Sequence, residues 1–445
     1  MDRYDHVKTE KSLGGLKYRK KREPWDFAET SGTYVGSHRW FICTLLFLAT
    51  IINCFDRQIF SLLKPILDDK MGWNNETFGL INSAFQGAYA AGYLVFGWFI
   101  DRVGIKKGYI TSITWWSTAA LCHSLVGSVG GFYVARIALG LGEGGNFPSA
   151  IKTVATWFPK KERALAIAFF NSGTNVGATL APAIVPWIAF TWGWQATFIF
   201  AGILGFLWMA AWVVFYNNPE DTKGLRSSEL LYIGSDGREF DETRKISVPV
   251  LLACRQTWGY LIAKFLTDPV WWFYLIWLPD FFKQTLLLDI KQSWVHLVII
   301  YTTVSILSIA ASWATGKLAE MGWSITRARK TSMILAALLA LPIIKVTLVN
   351  DWQAVLMISL AASAHQWWSA NLFATMSDIF PKNAAATLTG FGGMAGALGG
   401  MIFPAVTGRM LDSFKAAGNI TGGYALLFCI CAFSYLVAFA INHML

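Results

Sequence analysis

Long apolar stretches recur along the chain from residue 40 onwards, separated by short polar connections. Each is close to or above the ~18 residues that a helix needs to cross the hydrocarbon core of a bilayer. The pattern predicts an all-α membrane protein of about twelve spans. The spans are predicted at 40–67, 78–100, 108–127, 130–153, 164–188, 194–216, 257–282, 293–318, 330–349, 352–378, 385–408 and 421–443.

The composition indicates that lipid, rather than water, surrounds most of this chain. Of its 445 residues, 55% are hydrophobic, only 14% are charged, and 22 are tryptophan. Water-soluble domains carry about 25% charged residues, which argues against a soluble enzyme. The six cysteines lie in or beside apolar stretches without the spacing of metal ligands, so we expect no metal site, no cofactor and no disulfide framework.

The net charge of +10 follows the pattern of a membrane protein rather than that of a nucleic-acid-binding protein. Some of the connections between predicted spans are basic, and the connections that alternate with them are acidic, short or nearly uncharged. Because cytoplasmic loops carry an excess of Lys and Arg, we expect both termini in the cytoplasm. The basic residues cluster in the first 38 residues and in alternate connections, at Arg102/Lys106/Lys107, Lys160/Lys161/Arg163 and Arg327/Arg329/Lys330.

A charged connection at 217–255 divides the chain into two predicted halves, 39–216 and 256–445, after a basic tail at 1–38. Landmarks recur between the halves at an offset of about 220 residues. Gly97 and Gly316 each precede a basic loop, and Pro159 corresponds to Pro381. The repeat predicts two pseudo-symmetric six-helix halves, with a substrate site between them at mid-membrane.

Several stretches resemble known transporters. GWFIDRVGIKK, after the second span, resembles the loop motif of the major facilitator superfamily. FDRQIFSLLKPIL and RIALGLGEGGNFPSAIK resemble its anion:cation symporters, and FLTDPVWWFYLIWLP with AHQWWSANLFATMSDIF is similar to bacterial hexuronate transporters. The resemblance implies proton-coupled import of a sugar acid, such as glucuronate or galacturonate, by alternating access. We expect a monomer in the bacterial inner membrane.

Two pairs of charged residues lie inside predicted spans. Asp56 and Arg57 are near the middle of the first span, where an ionisable side chain must face a cavity or a partner. Arg136 and Glu143 are seven residues apart, on one face of the fourth span. Counting from the helix ends predicts an Asp56–Arg136 ion pair and leaves Glu143 without a partner. The alternative is that these acids only hold helices together.

The resemblance implies a role for each of these charges. In the family, residues that match Asp56 and Glu143 carry protons, and the one that matches Arg136 links the two carboxylates. The residue that matches Arg57 contacts the substrate, as does the tyrosine that matches Tyr89. The loop motif is implied to gate the cytoplasmic end, through Gly97, Asp101, Arg102 and the turn at Gly104.

Further candidates for substrate binding come from the residues themselves. Lys64 shares a helix face with Arg57 and could capture a carboxylate, or it could extend to the membrane interface. Lys264 could bind substrate or pair with Asp268, four residues on. Amide and aromatic groups in the tenth span suit a polyhydroxylated ring, although the histidine could equally be a core residue. These groups are His365, Gln366, Trp368 and Asn371.

Three other functions are weighed against a proton-coupled importer. An organic-anion or organophosphate antiporter could use Arg57 and Lys264 as paired cations, but it has no need of Asp56 and Glu143. A transporter-like sensor would bind without translocation. An enzyme is not expected, because the sequence contains no P-loop, HExxH motif or nucleophile elbow.

Overall fold

The computed structural model describes residues 36–235, 248–380 and 382–444. The basic cluster of the predicted tail, at 17–22, and residues 236–247 of the predicted connection lie outside the described residues. Within these ranges the chain is helical, with turns and connections and without a β-strand. The all-α prediction is therefore confirmed.

Twelve long helical segments follow one another in the described chain, and each matches a predicted span. Helices α4 and α5 are interrupted after one segment and then continue, and α9 ends as a 3-10 helix. The segments are α1 (His38–Met71), α2 (Asn75–Val103), α3 (Ile105–His123), α4 (Val129–Glu143, then Asn146–Trp157), α5 (Lys160–Asn171, then Gly173–Trp192), α6 (Trp194–Phe215), α7 (Arg255–Thr285), α8 (Ile290–Glu320), α9 (Ile325–Ala340, then Leu341–Leu348), α10 (Asp351–Ile379), α11 (Lys382–Ala416) and α12 (Ile420–Met444). Short helices lie at Pro219–Asp221, Ser227–Ile233 and Val248–Ala253.

Seven of these segments are long and apolar enough to cross a membrane by length and composition alone, namely α1, α6, α7, α8, α9, α11 and α12. The other five are shorter, interrupted or richer in polar residues. Helix α2 buries Asn82 and Gln86, α4 buries Arg136 and Glu143, and α10 buries His365. Their lower hydropathy reflects polar groups that face other helices rather than lipid.

Side-chain caps and a glycine turn fix several helix ends. The Asn74 side chain accepts a hydrogen bond from the Thr77 backbone at the start of α2, and Asn350 forms a capping box with Gln353 at the start of α10. Gly104 separates α2 from α3 with a φ of +86°, a conformation that glycine adopts without steric cost. The turn predicted at Gly104 is therefore present.

The helices pack as two groups of six. Helices α1–α6 contact one another, α7–α12 do the same, and the groups meet where α2 packs on α11, α5 on α8 and α1 on α7. One apolar cluster, which includes Ile42 and Trp212, lies wholly within the first group. A larger cluster, which includes Phe78 and Trp277, spans both. This packing supports the two halves that we propose, 39–216 and 256–445.

The two ends of the bundle are named here by the path of α1. The near face is the end where α1 begins at His38 and α12 ends at Met444. The far face is the end where α1 ends at Met71, and it carries the connections between odd-numbered helices and the helices that follow them.

Candidate functional site

A cavity of about 270 Å³ lies between the two halves, lined by α1, α2, α4 and α5 on one side and by α7 and α10 on the other. Five predicted site residues line it, namely Arg57, Arg136, Lys264, His365 and Gln366. The lining also includes polar residues that were not among the chosen site residues: Asn53, Gln58, Asn82, Gln86, Asn171 and Thr174. The predicted location of the site between the halves therefore agrees with the geometry.

The first half holds an ion pair between two helices. Arg57 of α1 donates from Nε to Glu143 Oε2 of α4 at 2.7 Å, and its Nη2 donates to Asn53 Oδ1 at 3.1 Å. The guanidinium carbon lies 4.1 Å from the centre of the Tyr89 ring, in a cation–π contact. Glu143 is fully buried. The acid that the sequence left without a partner is thus bound to the predicted substrate arginine.

The predicted Asp56–Arg136 ion pair is wrong. Arg136 donates from Nη2 to Asn82 Oδ1 at 3.2 Å, and its guanidinium carbon lies 4.6 Å and 4.3 Å from the centres of the Phe60 and Phe85 rings. Among the described residues, neither carboxylate oxygen of Asp56 has a hydrogen-bond partner. Similar depth along two helices, on which the prediction rested, does not determine the direction in which each side chain points.

Several charged atoms beside the cavity lack partners within the described part of the chain. They are both carboxylate oxygens of Asp56, Oε1 of Glu143, and Nε and Nη1 of Arg136. Buried polar groups in native proteins are nearly always hydrogen-bonded, so such a concentration requires an explanation. Groups that must bind and release ions or substrate have that property.

The second half contributes an ion pair within one helix. Lys264 Nζ and Asp268 Oδ2 of α7 are 2.7 Å apart, so the pairing weighed from the sequence is observed. His365 of α10 hydrogen-bonds through Nδ1 to the Tyr435 hydroxyl at 2.9 Å and stacks on Trp271 with centroids 5.5 Å apart. The histidine is therefore both a buried, partnered side chain and a part of the cavity lining.

Four predicted substrate residues do not line the cavity, and three of them lie near the level of the cavity or toward the near face. Tyr89 lies one contact behind it, against Arg57. Trp368 is fully buried against Tyr435. Asn371 donates to the Trp367 carbonyl at 2.9 Å and lines a separate cavity of about 440 Å³ between α8, α9 and α10.

Lys64 also lies away from the cavity lining, toward the far face. It is fully buried, which excludes extension to the membrane interface. Its Nζ binds Asp280 Oδ1 at 2.9 Å, Asp68 Oδ2 at 2.5 Å and Asn75 Oδ1 at 2.8 Å. Tyr424 donates to the second oxygen of Asp280. Lys64 therefore joins α1 of the first half to α7 of the second.

Asp280 was missed in the sequence, although a signal was present. It is an acid inside the predicted seventh span, and it follows Lys64 by 216 residues, close to the offset of the internal repeat. Related positions of two repeated helices approach each other where those helices contact across the pseudo-symmetry axis, as α1 and α7 do, so a cation and an acid at that offset are candidates for a pair.

A second polar contact joins the halves at the far face, between α2 and α11. Asp412 accepts hydrogen bonds from the backbone and the side-chain nitrogen of Asn75, at 3.1 Å and 2.9 Å, and from the Glu76 backbone at 2.7 Å. Arg409 pairs with Glu76 at 3.0 Å. A Cβ at Gly79 would overlap the carbonyl of Pro404, so the two backbones are in direct contact.

The predicted gating motif lies at the near face, and its contacts with other described residues stay within the first half. Asp101 pairs with Lys152 of α4 at 2.6 Å, and the Arg102 guanidinium lies 4.1 Å from the Trp98 ring centre. Gly97 lies inside α2 rather than at its end, and a Cβ there would meet nothing within 4 Å.

Relatives with curated descriptions match along most of this chain. The hexuronate transporter of Escherichia coli (strain K12) is 30% identical over 404 residues, which cover 88% of this chain and 90% of that protein. The "Probable galactarate/D-glucarate transporter GarP" of the same strain is 28% identical, covering 89% and 94%. The galacturonate transporter of Dickeya chrysanthemi is 31% identical, covering 57% and 74%.

Solved structures with low sequence identity show the same fold. A bacterial homolog of the human lysosomal transporter Spinster, inward-facing and occupied, superposes with a TM-score of 0.72 at 16% identity, covering 92% of this chain and 97% of that one. A D-xylose–proton symporter gives a TM-score of 0.69 at 16% identity, covering 91% and 97%. These matches confirm the predicted two-half, twelve-helix fold.

A family model also matches the chain, and its description names a superfamily rather than one kind of transporter. The model described as "Major Facilitator Superfamily" matches residues 46–404, most of the chain. Together with the relatives above, this match confirms the resemblance inferred from the motifs. It also confirms the prediction that the chain is a membrane transporter rather than an enzyme. The chain belongs to the Major Facilitator Superfamily.

Proposed function

We propose that this chain imports a sugar acid, a hexuronate such as glucuronate or galacturonate, together with protons by alternating access. The observation that carries the proposal is the charge pattern of the cavity between the halves. Three cations, Arg57, Arg136 and Lys264, line it together with Asp268, the partner of Lys264, and two further acids, Asp56 and Glu143, lie buried beside them. The names of the relatives supply the substrate class.

Arg57 is the proposed site for the substrate carboxylate. A guanidinium presents paired donors that match a carboxylate, and it keeps its charge when buried. The sugar ring would lie among amide and aromatic groups, with Trp271 and Trp272 offering flat faces to its C–H groups. Gln366 and Asn171 would bind its hydroxyl groups.

Glu143 and the substrate compete for the same arginine, and this competition is the proposed origin of proton coupling. While Glu143 is ionised, it occupies Arg57 at 2.7 Å. Protonation weakens that ion pair and frees the guanidinium for the substrate carboxylate. Asp56, buried without a hydrogen-bond partner among the described residues, is the proposed second proton site. Arg136, which lines the cavity and belongs to the same helix as Glu143, would couple the two acids electrostatically.

Alternating access requires that the halves separate at one face while they close at the other. The far-face contacts of Lys64 with Asp280 and of Asn75 with Asp412 would have to break for the cavity to open there. We assign the near face to the cytoplasm, because the basic connections lie on it. The protein would then act in the inner membrane, as a monomer with one complete cavity per chain.

Uptake into proteoliposomes tests this proposal. Labelled glucuronate or galacturonate should accumulate only with an inward proton gradient, and Asp56→Asn or Glu143→Gln should abolish that accumulation. Glu220→Gln and Asp221→Asn are matched controls, since both acids are exposed in the helix at Pro219–Asp221, away from the cavity. Exchange against internal anion without any response to the gradient would instead identify an antiporter, and binding without flux a sensor.

A further inference from the structure

Lys264 and Asp268 form the one cavity charge pair, among the described residues, whose members share a helix. They are one turn apart on α7, with Nζ and Oδ2 separated by 2.7 Å. Both line the cavity, and their side chains are 6% and 19% exposed. The cation of the second half thus has its own carboxylate inside the proposed substrate site.

Neighbouring helices hold both members of this pair. The Lys264 ammonium lies 4.3 Å from the centre of the Phe373 ring of α10, a cation–π contact. The Asp268 carboxylate lies against Gly396 of α11, where even one added carbon would overlap Oδ2. A larger residue at position 396 would displace the carboxylate, so the glycine leaves room for it.

The pair in the first half is built differently. Arg57 belongs to α1 and Glu143 to α4, so a small shift between these helices separates them. No rigid-body movement of helices separates two side chains of the same helical turn. Asp268 therefore stays beside Lys264 in both arrangements of an alternating-access carrier, while the Arg57–Glu143 pair can open.

This difference has a consequence for the charge that the cavity accepts. A first substrate carboxylate can bind Arg57 when Glu143 releases it. A second carboxylate near α7 would find Lys264 already neutralised and would lie beside the charge of Asp268. Leaving a buried charge without a partner costs far more than a hydrogen bond returns. A hydroxyl or a hemiacetal oxygen at that place can instead donate to Asp268 and accept from Lys264.

We propose that Asp268 is a specificity-determining residue, which makes the cavity select sugar acids with one carboxylate over those with two. This assignment depends on the proposed function, because it concerns the same cavity and the same substrate class. It identifies the substrate as a monocarboxylate and gives Lys264 the role of binding hydroxyl oxygens rather than a carboxylate.

Competition between two six-carbon acids tests the assignment. Glucarate carries a second carboxylate at the carbon where glucuronate carries its aldehyde or hemiacetal. In proteoliposomes of the full-length protein, uptake of labelled glucuronate is measured with unlabelled glucuronate or unlabelled glucarate as the inhibitor. The ratio of the inhibitory concentration of glucarate to that of glucuronate should be at least about ten. Asp268→Asn should reduce that ratio about tenfold, equivalent to about 1.4 kcal/mol, because Lys264 becomes free for the second carboxylate.

Companion variants separate the charge of Asp268 from its shape. Asp268→Glu keeps the charge and should keep most of the selectivity. The double variant Lys264→Gln/Asp268→Asn removes the freed cation and should lose the improved glucarate inhibition. Asp221→Asn, exposed and far from the cavity, should leave the ratio unchanged. If Asp268→Asn transports too slowly, thermal stabilisation of the purified protein by each acid gives the same ratio from binding alone.

The outcomes separate this assignment from the proposed function. An unchanged ratio in Asp268→Asn, by uptake or by thermal stabilisation, would overturn the role of Asp268 while leaving hexuronate transport intact. Equal affinity of the unmodified protein for both acids would do the same. If the unmodified protein neither binds nor transports either acid, then the proposed substrate class has failed, and this assignment fails with it.

Discussion

The two halves meet differently at the two faces of the bundle. Toward the far face, buried Lys64 pairs with Asp280 across the halves, and Asp412 accepts three hydrogen bonds from α2. At the near face, the motif acid Asp101 pairs with Lys152 of its own half. Further far-face contacts between described residues of the two halves join Lys283 to the Pro65 carbonyl and to Asp69, and Arg409 to Glu76.

The comparison indicates which contacts hold this arrangement. The far-face pair is fully buried on both sides, whereas the side chain of Asp101 is 74% exposed. A buried pair that loses one member costs several kcal/mol, and an exposed pair contributes little. The structure is therefore held closed at the far face by buried cross-half contacts, while among the described residues the near-face acid Asp101 pairs within its own half.

Removal of the Lys64 charge should have the largest effect on the closure of the far face. Lys64→Met leaves the fully buried Asp280 and the partly buried Asp68 without their cation, and a buried charge that loses its partner costs about 3–5 kcal/mol. We expect the far face to open. Spin labels at the exposed positions 125 and 348, one in each half on the far face, should move apart in double electron–electron resonance, in a background without the six native cysteines.

Two companion variants make that result specific. Lys64→Met/Asp280→Asn removes both charges of the cross-half pair and should recover part of the closed population, as a double-mutant cycle requires for partners in contact. Lys415→Met removes an exposed far-face cation and should leave the distance unchanged. A well-folded Lys64→Met protein with the original distance distribution would show that the pair does not hold the far face closed.

A pair of glycines on α2 gives the next largest effect. A side chain at Gly79 would overlap the Pro404 backbone of α11, whereas one at Gly97 would enter open space. Overpacking costs about 1–3 kcal/mol. Gly79→Val should therefore raise the ratio of molecules with an open far face to molecules with a closed far face roughly tenfold. Gly97→Val should leave the far-face distance intact and slow transport, since we propose that Gly97 packs between the halves when the near face closes.

Labels at positions 107 and 321 report on the near face and provide the check on Gly97. With substrate present, the unmodified protein should populate a shorter near-face distance than Gly97→Val does. If both glycine variants leave transport and both distances as they are, the close approach of α2 and α11 has no part in closing either face.

Helix number and the repeat were predictable, because both depend on long-range periodicity that survives local exceptions. Every predicted span corresponds to an observed segment, even where α4 and α5 are interrupted. The cavity was predictable in outline, since charges such as Arg57 and Lys264 cannot face lipid.

Partner identities were not predictable from depth alone. Arg136 and Asp56 were predicted at a similar depth but do not pair, because packing sets how each helix is rotated about its own axis. The Arg136 guanidinium instead lies between two Phe rings. Trp368 looked like a sugar-stacking residue, yet neither Trp367 nor Trp368 lines the cavity, because helical periodicity does not decide which side chains of α10 face it. Only the three-dimensional packing settles that choice.

The smallest effect on the comparison is expected from the exposed far-face pair of Arg409 with Glu76. The Arg409 side chain is 77% exposed, and pairs of this kind contribute about 0–1 kcal/mol and weaken as salt screens them. Arg409→Gln should therefore leave the far-face label distance and the uptake rate within error of the unmodified protein, at low and at high salt. Asp412→Asn is the internal contrast, because Asp412 accepts from two backbone nitrogens and its loss should open the far face measurably. If Arg409→Gln opened the far face as far as Lys64→Met, burial would not be what distinguishes the contacts that hold the halves together.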